Sequence, residues 1–400
     1  MKVLTVNTLY FPNELGGAEV AMRLLAERLV RAGHEAVVVS LDPNGRSSSR
    51  TIAGVRAHYV PLANVYWHLG DRRPPRWLKP WWHLLDAYNP TMARRLGRIL
   101  DAERPDIVHA QNLRGFSVSA WVAAARRRIP IVQCLQDYYL GCPRSSMFRG
   151  DRNCGRQCVE CRLLSAPKRF LSGLPHTIIS ASDRTLRRLE ATGLFRGVDR
   201  RVVIHNCYRD EVAPTPRPDL GPGAPIRFGF IGRLDPLKGV ALLLQAAANL
   251  PRDRISVFIA GRGTVAYEAH LRETYAAANV RFLGFVESRT FFPEIDVLVV
   301  PSLWEDPCPL VVIEAMSHGV PVIGARGGGI SEIVDHGRTG FLFPAGDAMA
   351  LRAIMRRLLI EGVRALGLSI NCRARAMELS PDAVFERYMA VWQRAAASRR

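Results

Sequence analysis

Short apolar runs rich in β-branched residues alternate with helical segments along almost the whole chain. Such runs occupy residues 3–7, 131–135 and 255–260. This alternation is typical of parallel sheets covered by helices. It is interrupted at residues 209–225, which contain APTPRPDLGPGAP and read as a linker. Because 400 residues exceed one ordinary core, we predict an α/β fold of two domains with parallel sheets.

The chain carries a formal net charge of +19, almost entirely from arginine, since lysine occurs only at Lys2, Lys79, Lys168 and Lys238. Arginine suits phosphate and carboxylate recognition, and so large a charge favours an anionic ligand, membrane or nucleic acid. A solvated basic surface is the equally weighted alternative. No apolar run is long enough to cross a bilayer, and the N-terminus does not resemble a signal peptide. We therefore expect a cytoplasmic protein.

Residues 66–90 interleave four tryptophans, Trp67, Trp77, Trp81 and Trp82, with basic residues including Arg72, Arg73, Arg76 and Lys79. Aromatic rings and cations together suit the headgroup region of an anionic membrane. They could equally line an acceptor pocket. A third interpretation is a surface loop whose tryptophans point inward.

Four of the eight cysteines lie within twenty residues, at Cys142, Cys154, Cys158 and Cys161. In a cytosolic chain such a cluster is more often metal-binding than disulfide-bonded. Four thiolates could hold a structural Zn²⁺ and stiffen the loop 138–162. Free thiols or a redox pair are the alternatives.

Polar residues follow two predicted strands of the first half. Gly16 and Gly17 lie between the first strand and the first helix, where glycine lets backbone amides approach a phosphate; a tight turn is the simpler alternative. His109 stands near the end of a strand at 105–112, where open parallel sheets bind ligands. It could instead be an ordinary strand-end histidine.

The second half opens with a strand at 227–232, a loop with Arg233 and Lys238, and a helix start. Backbone amides, the helix dipole and two cations in this order favour a diphosphate. The spacing is not that of a Walker A loop. Gly284, Phe285 and Val286 follow another strand and could present backbone groups to a nucleotide base.

Residues 301–344 combine a strand end, carboxylates, a helix start, a second strand and a triple glycine. This order predicts an anion site beside Glu305, Asp306 and Glu314. An anion site next to carboxylates that can bind hydroxyls suggests a sugar nucleotide. The carboxylates could also be solvated residues flanking a helix.

These motifs together resemble the retaining glycosyltransferases of family 4, over nearly the whole chain. The resemblance is carried by five stretches: residues 16–19, 106–109, 232–239, 304–319 and 329–340. It implies a GT-B architecture, in which two Rossmann-like domains face a central cleft. The implied division is 1–208 for an N-terminal acceptor-binding domain, 209–225 for the linker and 226–380 for a C-terminal nucleotide-sugar-binding domain. Helix 381–400 would pack back on the N-terminal domain.

The resemblance also implies residue roles. Arg233 and Lys238 would hold the donor diphosphate, met by Gly16 and Gly17 from the first domain, and Glu314 would bind the donor ribose. The family's other acid falls on Asp306, beside Glu305, so either could contact the transferred sugar. Histidine is frequent in the family where Gln111 and Gln136 stand here, and His109 is the neighbouring catalytic candidate. The expected donor site also includes Gly284, Phe285, Val286, Pro309, Leu310 and Val311.

The implied activity is sugar transfer from a nucleotide diphosphate sugar to a glycan or lipid-linked hydroxyl, with retention at the anomeric carbon and no cofactor required for catalysis. Peripheral contact with the anionic inner face of the membrane is expected, and a nucleic-acid partner is not. The alternatives are a sugar-nucleotide epimerase on the same architecture, a non-catalytic protein that binds nucleotide sugars or nucleic acid, and an inactive transferase kept as a scaffold.

Overall fold

The computed structural model describes residues 1–14, 16–69, 74–208, 225–363 and 367–398. The predicted linker, apart from residue 225, lies outside the described residues, as do Arg72 and Arg73. The chain forms two compact units. The first comprises Met1–Met147, Cys154–His205 and Val384–Arg400, and the second comprises Phe148–Asn153 and Asn206–Ala383.

In the described part of the chain, the strands in order are β1 (Lys2–Val6), β2 (Glu35–Asp42), β3 (Ser48–Ile52), β4 (Val55–Pro61), β5 (Ile107–Ala110), β6 (Ile131–Leu135), β7 (Phe148–Arg149), β8 (Arg152–Asn153), β9 (Thr177–Ser180), β10 (Arg200–Val203), β11 (Ile226–Ile231), β12 (Ile255–Ala260), β13 (Val280–Gly284), β14 (Val297–Val300), β15 (Val322–Arg326) and β16 (Gly340–Pro344).

The helices in the same residues are α1 (Gly17–Arg31), α2 (Leu78–Ala87), α3 (Pro90–Glu103), α4 (Ser119–Ala125), α5 (Val159–Leu164), α6 (Ala166–Leu171), α7 (Asp183–Glu190), α8 (Val240–Ala247), α9 (Val265–Thr274), α10 (Ser288–Phe291), α11 (Leu310–Ser317), α12 (Ile330–Ile333), α13 (Ala348–Glu361), α14 (Leu368–Glu378) and α15 (Pro381–Ala397). Short 3-10 turns cover Pro236–Lys238 and Phe292–Glu294.

The first unit contains one sheet in the order β10-β9-β6-β5-β1-β2-β4-β3. Its strands pair in parallel, except that β3 pairs antiparallel with β4 at the edge. The central strands β1, β5 and β6 are almost wholly buried, as expected for a sheet covered by helices on both faces. From Val384 onward, α15 belongs to this unit.

The second unit contains a wholly parallel sheet in the order β13-β12-β11-β14-β15-β16. Its core joins apolar residues of the strands to those of α8 and α13, including Phe228, Leu243 and Met355. Where the order of the strands reverses beside the first strand of a parallel sheet, a crevice opens at the carboxyl ends of the strands. Both units thus have the Rossmann-like α/β architecture that the sequence predicts.

Several local predictions need correction. The sequence also predicts a helix over residues 86–100, but α2 ends at Ala87 and α3 begins at Pro90. The break arises because Asn89 accepts a hydrogen bond from the Met92 amide at 3.1 Å and caps α3, with Pro90 in its first turn. The edge strand β3 was missed because its sequence, SSRTI, is polar. Residues 148–153 of the cysteine loop group with the second unit, whereas the sequence placed the loop 138–162 wholly in the first domain.

Candidate active site

Glycines lie at or directly after the ends of three strands of the second unit, β11, β12 and β13, and let the backbones pack closely there. The amide of Gly232 donates to Ala260 O at 3.1 Å, and the amide of Gly261 donates to Gly284 O at 2.6 Å. A Cβ added at Gly261, whose φ is +133°, would lie 1.8 Å from Gly232 O. The backbones at this edge lie too close together for side chains. Because no side chain covers them, a ligand can approach the backbone here.

The loop after β11 carries the two predicted diphosphate cations. Arg233 is 71% exposed, and its Nε lies 3.7 Å from Asp235 Oδ2. Asp235 also accepts the Leu237 amide at 2.9 Å and so starts the short turn that ends at Lys238. Gly239, which follows, has φ +72°, and a Cβ there would meet Pro301 O at 1.9 Å. Tight backbone packing thus fixes the position from which Lys238 extends.

Lys238 and Asp306 form the central ion pair of the second unit. Lys238 Nζ lies 2.5 Å from Asp306 Oδ2, and the two side chains are 26% and 8% exposed. The ammonium also stands 5.6 Å from the centre of the Trp304 ring. A charge-assisted pair so close and so poorly hydrated is strong. Lys238 therefore neutralises a nearly buried carboxylate while part of its surface remains open to an anion.

The triple glycine Gly327–Gly329 packs directly on the loop that carries the carboxylates. A Cβ at Gly328 would lie 2.1 Å from Asp306 O, and one at Gly329 would lie 1.9 Å from Pro307 O. The amide of Gly329 donates to Asp306 O at 2.8 Å. A Cβ at Gly327 would lie 3.3 Å from Glu305 Cγ. The motif thus holds both candidate acids in place.

The helix α11 begins beside these acids. Pro309 occupies its N-cap with no side-chain cap hydrogen bond, so the amides of Leu310 and Val311 have no acceptor from that residue. Such amides favour an anion at a helix N-terminus. Glu314 lies in the second turn and is only 6% exposed. The carboxylate that the sequence assigns to ribose is therefore in the same unit as the Lys238–Asp306 pair and on the adjoining helix.

The residues proposed to meet the base lie on the surface of this unit. Gly284 has φ +71° and ends β13, and Phe285 is 77% exposed. Val286 is half-buried. An exposed phenylalanine next to a glycine-bounded strand end can offer a ring face to a base.

The structure reveals two residues of this unit that the sequence analysis missed. Asn153, at the end of the small hairpin β7–β8, donates to Leu303 O and accepts the Glu305 amide, both at 3.1 Å. Arg262 is exposed after β12, and its guanidinium lies 3.3 Å from where a Cβ on Gly284 would be. Asn153 stands 152 residues from Glu305 in sequence, so no local pattern could have connected them.

In the first unit, α1 begins at the predicted glycine pair. Gly16 is the N-cap, in extended conformation, and has no side chain to accept from the first amides of the helix. Gln111, at the end of β5, donates from Nε2 to Ala18 O at 2.9 Å. The glutamine that replaces a family histidine therefore ties the strand end to the start of α1.

His109 is buried in the first unit, with 1% of its surface exposed. Its Nδ1 accepts from Trp392 Nε1 at 3.3 Å, and the Tyr388 and Trp392 rings lie edge-on to it. Burial lowers the pKa of His109 to about 4, with a smaller opposing contribution from Gln111. The ring is therefore neutral at pH 7. These contacts fit a packing role, and its catalytic role stays a prediction.

The end of β6 carries polar groups around a small cavity, which Gln111, Gln133, Gln136 and Asp137 help to line. Asp137 accepts the Tyr139 amide at 2.7 Å, and burial raises its pKa. Gln136 donates to Cys134 Sγ at 3.5 Å. Asp137 is the carboxylate of this edge to which the sequence analysis gave no role.

None of the four clustered cysteines is disulfide-bonded, and hydrogen bonds connect the thiols of three of them. The Cys161 thiol forms hydrogen bonds with the thiols of both Cys142 and Cys158. The Cys161 bond, with amides that include that of Arg144, lowers the pKa of Cys142 to about 6. Across the described residues, no three His, Cys, Asp or Glu side chains are arranged to hold a metal ion.

The structural zinc therefore stays a prediction. Stoichiometric zinc in elemental analysis of protein purified without chelator, lost from Cys161→Ser but kept in Cys372→Ser, would support it. Substoichiometric zinc in the unaltered protein would contradict it. Cys372 is a suitable control because it is a buried thiol outside the cluster, and it donates to Thr339 O.

Two family descriptions match this chain. "Glycosyl transferase 4-like domain" covers residues 16–218, about half of the chain, and "Glycosyl transferases group 1" covers residues 225–361. These matches identify the chain as a glycosyltransferase, and its fold consists of two Rossmann-like α/β units. The chain belongs to the family of the glycosyl transferase 4-like domain, and its second half matches the group 1 glycosyl transferases.

Two relatives span most of the chain. An uncharacterized 42.6 kDa protein in the cps region of Klebsiella pneumoniae is 31% identical over 83% of this chain and 87% of that protein. A GDP-mannose-dependent alpha-mannosyltransferase of Mycolicibacterium smegmatis is 28% identical over 98% of both chains. Among solved structures, Anabaena Alr3699/HepE in complex with UDP-glucose has a TM-score of 0.70 at 20% identity, covering 98% of this chain and 99% of that one. At that identity the similarity shows the fold.

No helix in the described part of the chain combines the length and the apolar character needed to cross a membrane.

Proposed function

We propose that the protein transfers a sugar from a nucleotide diphosphate sugar to a glycan or lipid-linked acceptor hydroxyl, with retention at the anomeric carbon. The observation that carries the proposal is the half-buried Lys238 held 2.5 Å from Asp306 in the unit that also contains Arg233 and the start of α11. One cation, one more exposed cation and a helix N-terminus suit a diphosphate.

In the proposed reaction, the acceptor oxygen forms a bond to the anomeric carbon on the face that the diphosphate leaves. The bond from that carbon to the diphosphate oxygen breaks, and the acceptor proton passes to the departing diphosphate. Negative charge grows on the leaving group, and Lys238, Arg233 and the α11 amides stabilise it more in the transition state than in the ground state. Fixed cations supply this stabilisation, so the scheme needs no cofactor.

The three candidate carboxylates, Glu305, Asp306 and Glu314, have different surroundings. Glu314, nearly buried on α11, is proposed to accept hydrogen bonds from the ribose hydroxyls. Asp306 is paired with Lys238, whereas Glu305 is half-buried against Gly327. Because the Asp306 carboxylate is already engaged by a cation, we propose that Glu305 is the acid that contacts the transferred sugar.

We further propose a cytoplasmic protein in peripheral contact with an anionic membrane. The net charge of +19 supports this contact.

Thermal-shift screening against nucleotide diphosphate sugars tests donor binding, because a ligand of the native state raises the melting temperature. GDP-mannose and UDP-glucose come first, since relatives of this chain are named for or bound to them. A shift with one donor, absent for the matching nucleoside monophosphate, would support the diphosphate site. No shift with any donor would overturn the proposal.

Product analysis separates transfer from epimerisation. A transferase releases nucleoside diphosphate in proportion to added acceptor, whereas an epimerase converts one nucleotide sugar into another without acceptor. An altered nucleotide sugar formed in the absence of acceptor would therefore contradict the proposed reaction.

A further inference from the structure

The first unit exposes large apolar side chains on and beside three helices. On α2 and its flanks they are Trp77, Trp81 and Leu84, with 68%, 58% and 58% of their surfaces exposed. On α5 and α6 they are Val159, Leu163 and Phe170, at 72%, 69% and 88%. Contiguous exposed apolar surface on an otherwise well-packed domain indicates an interaction site.

The outward direction of the α2 residues follows from how the helix is anchored. Trp82 is 1% exposed, its Nε1 donates to Tyr66 O at 3.1 Å, and its ring lies 4.8 Å from that of His68. Asp86, one turn later, is also buried and accepts the Gly115 amide at 2.6 Å. With residues 82 and 86 facing the core, helical periodicity directs Trp81 and Leu84 to solvent.

The spacing along α2 shows a second, outer apolar stripe. Trp77, Trp81, Leu84 and Tyr88 recur at intervals of four, three and four residues, and each is exposed. This is the spacing of one helix face. A helix with an anchored inner face and an apolar outer face has an unpartnered surface.

Helices α5 and α6, at and beyond the end of the cysteine loop, supply the rest of this surface. Helix α5 lies between Cys158 and Ser165, contacts α2, and has no buried residue. Val159 and Leu163 are one turn apart on it. Helix α6 follows directly and exposes Phe170 beside the buried Lys168, whose Nζ donates to Tyr139 O at 2.9 Å. The tryptophan segment and the helices α5 and α6, to which the proposed transfer assigns no role, thus form one surface.

The charge around these side chains is strongly positive. Arg76, Lys79, Arg156 and Arg162 are exposed on or beside the same helices. Arg169 is half-buried and donates to Thr192 O and Arg162 O. The exposed acid on α5 is Glu160. A second copy of this surface would face it with the same charge, which disfavours self-association. An anionic lipid surface complements it, since apolar rings enter the interface and cations meet the headgroups.

We propose that α2, α5 and α6 form an interfacial surface that docks on an anionic phospholipid membrane, with Trp77, Trp81 and Phe170 entering the headgroup region. This inference specifies the surface for the membrane contact proposed above and rests on that part of the proposed function alone. Docking at this surface would confine the enzyme to the plane in which a lipid-linked acceptor lies.

Co-sedimentation of the full chain with vesicles tests the docking. Phosphatidylglycerol vesicles provide the anionic surface and phosphatidylcholine vesicles the neutral one. We expect binding to the anionic vesicles that weakens with added salt. Trp77→Ala combined with Trp81→Ala and Phe170→Ala should lower the partition coefficient about tenfold or more. Arg76→Gln with Lys79→Gln should also weaken it and flatten the salt dependence.

A matched control is Ile360→Ala combined with Ile370→Ala, because both side chains are 75% exposed but belong to the second unit. This variant should bind vesicles like the unaltered protein. Failure of the unaltered protein to bind anionic vesicles, or equal binding by the triple variant, would overturn the proposal. So would a concentration-dependent dimer, seen in analytical ultracentrifugation, that the triple variant abolishes. Thermal shifts with donor, measured on each variant, report folding and donor binding separately from docking.

Discussion

The two parallel sheets end in different chemistry, although they share one architecture. At the carboxyl ends of the second sheet, glycines expose backbone, and Lys238 meets Asp306 at 2.5 Å. In the first sheet, β5 carries the buried neutral His109, and Gln111 ties its end to α1. Charge is thus concentrated where a diphosphate is proposed to bind. The difference indicates that the family fold fixes where a site lies, while side chains set its electrostatics.

The substitution Lys238→Ala removes the cation on which the difference between the two sheets mainly depends. We expect kcat/KM for glycosyl transfer to fall on the order of a hundredfold or more, about 3 kcal/mol, because a cation that stabilises the leaving diphosphate is removed. Steady-state kinetics with a saturating acceptor measure it. Arg252→Ala, which removes an exposed cation elsewhere in the second unit, is the control.

Loss of Lys238 also leaves the nearly buried Asp306 without its cation, which can destabilise the fold. Thermal unfolding of Lys238→Ala and of Lys238→Ala with Asp306→Asn separates the two effects. Near-normal turnover of Lys238→Ala would remove this lysine from the proposed site.

The titration of His109 tests whether this side chain, on β5 of the first sheet, is neutral at pH 7. Its pKa is lowered to about 4 by burial, against 6.5 when exposed. The unfolded chain therefore binds the proton first, and stability should fall as pH decreases from about 6.5 to 4. The loss from this group is about 3 kcal/mol.

Urea unfolding of the unaltered protein and of His109→Asn across this range measures the contribution as a difference. The variant should lose less stability toward acid, although its stability at pH 7 is also changed by altered packing against Trp392. Parallel pH profiles for the two proteins would show that His109 does not titrate in this way.

Gly328→Ala tests the tight backbone approach beside Asp306. Gly337→Ala is a matched control, because both glycines have positive φ (+54° and +82°) but a Cβ at Gly337 would meet nothing within 4 Å. Both substitutions carry backbone strain, and Gly328→Ala adds the clash with Asp306 O. We expect the Gly328 variant to be less stable than the Gly337 variant by about 2 kcal/mol in chemical denaturation. Equal stability would show that the loop accommodates the added carbon.

Asn153 gives the smallest expected effect and tests how the Glu305 loop is positioned. Asn153→Ala removes both hydrogen bonds, to Leu303 O and from the Glu305 amide. We expect kcat to fall about fivefold, near 1 kcal/mol, with little change in donor affinity or melting temperature. Asn153→Asp, which keeps only the acceptor, should recover part of the loss. Asn249→Ala, at an exposed asparagine, should leave kcat unchanged, and a fall in melting temperature without a kcat effect would indicate a purely structural role.

Much of the fold could be predicted because alternation of buried strands and helices is a local property. Periodicity predicted most strands of both sheets, and five stretches along the chain, residues 16–19, 106–109, 232–239, 304–319 and 329–340, together carried the resemblance to the family. Helix boundaries were less accurate where capping decides them, as at Asn89. The polar edge strand β3 gave no apolar signal, so the sequence did not reveal it.

The sequence by itself determined the fold class, the family, and the residue types available for a diphosphate site. Tertiary structure alone decided the partners: Lys238 with Asp306, Asn153 with Glu305, and Trp392 with His109, which are 68, 152 and 283 residues apart. It also decided that Trp82 faces the core while Trp77 and Trp81 face solvent. The physical reason is that propensity and periodicity act over one helical turn or strand, whereas burial and ion pairing depend on which distant segments pack together.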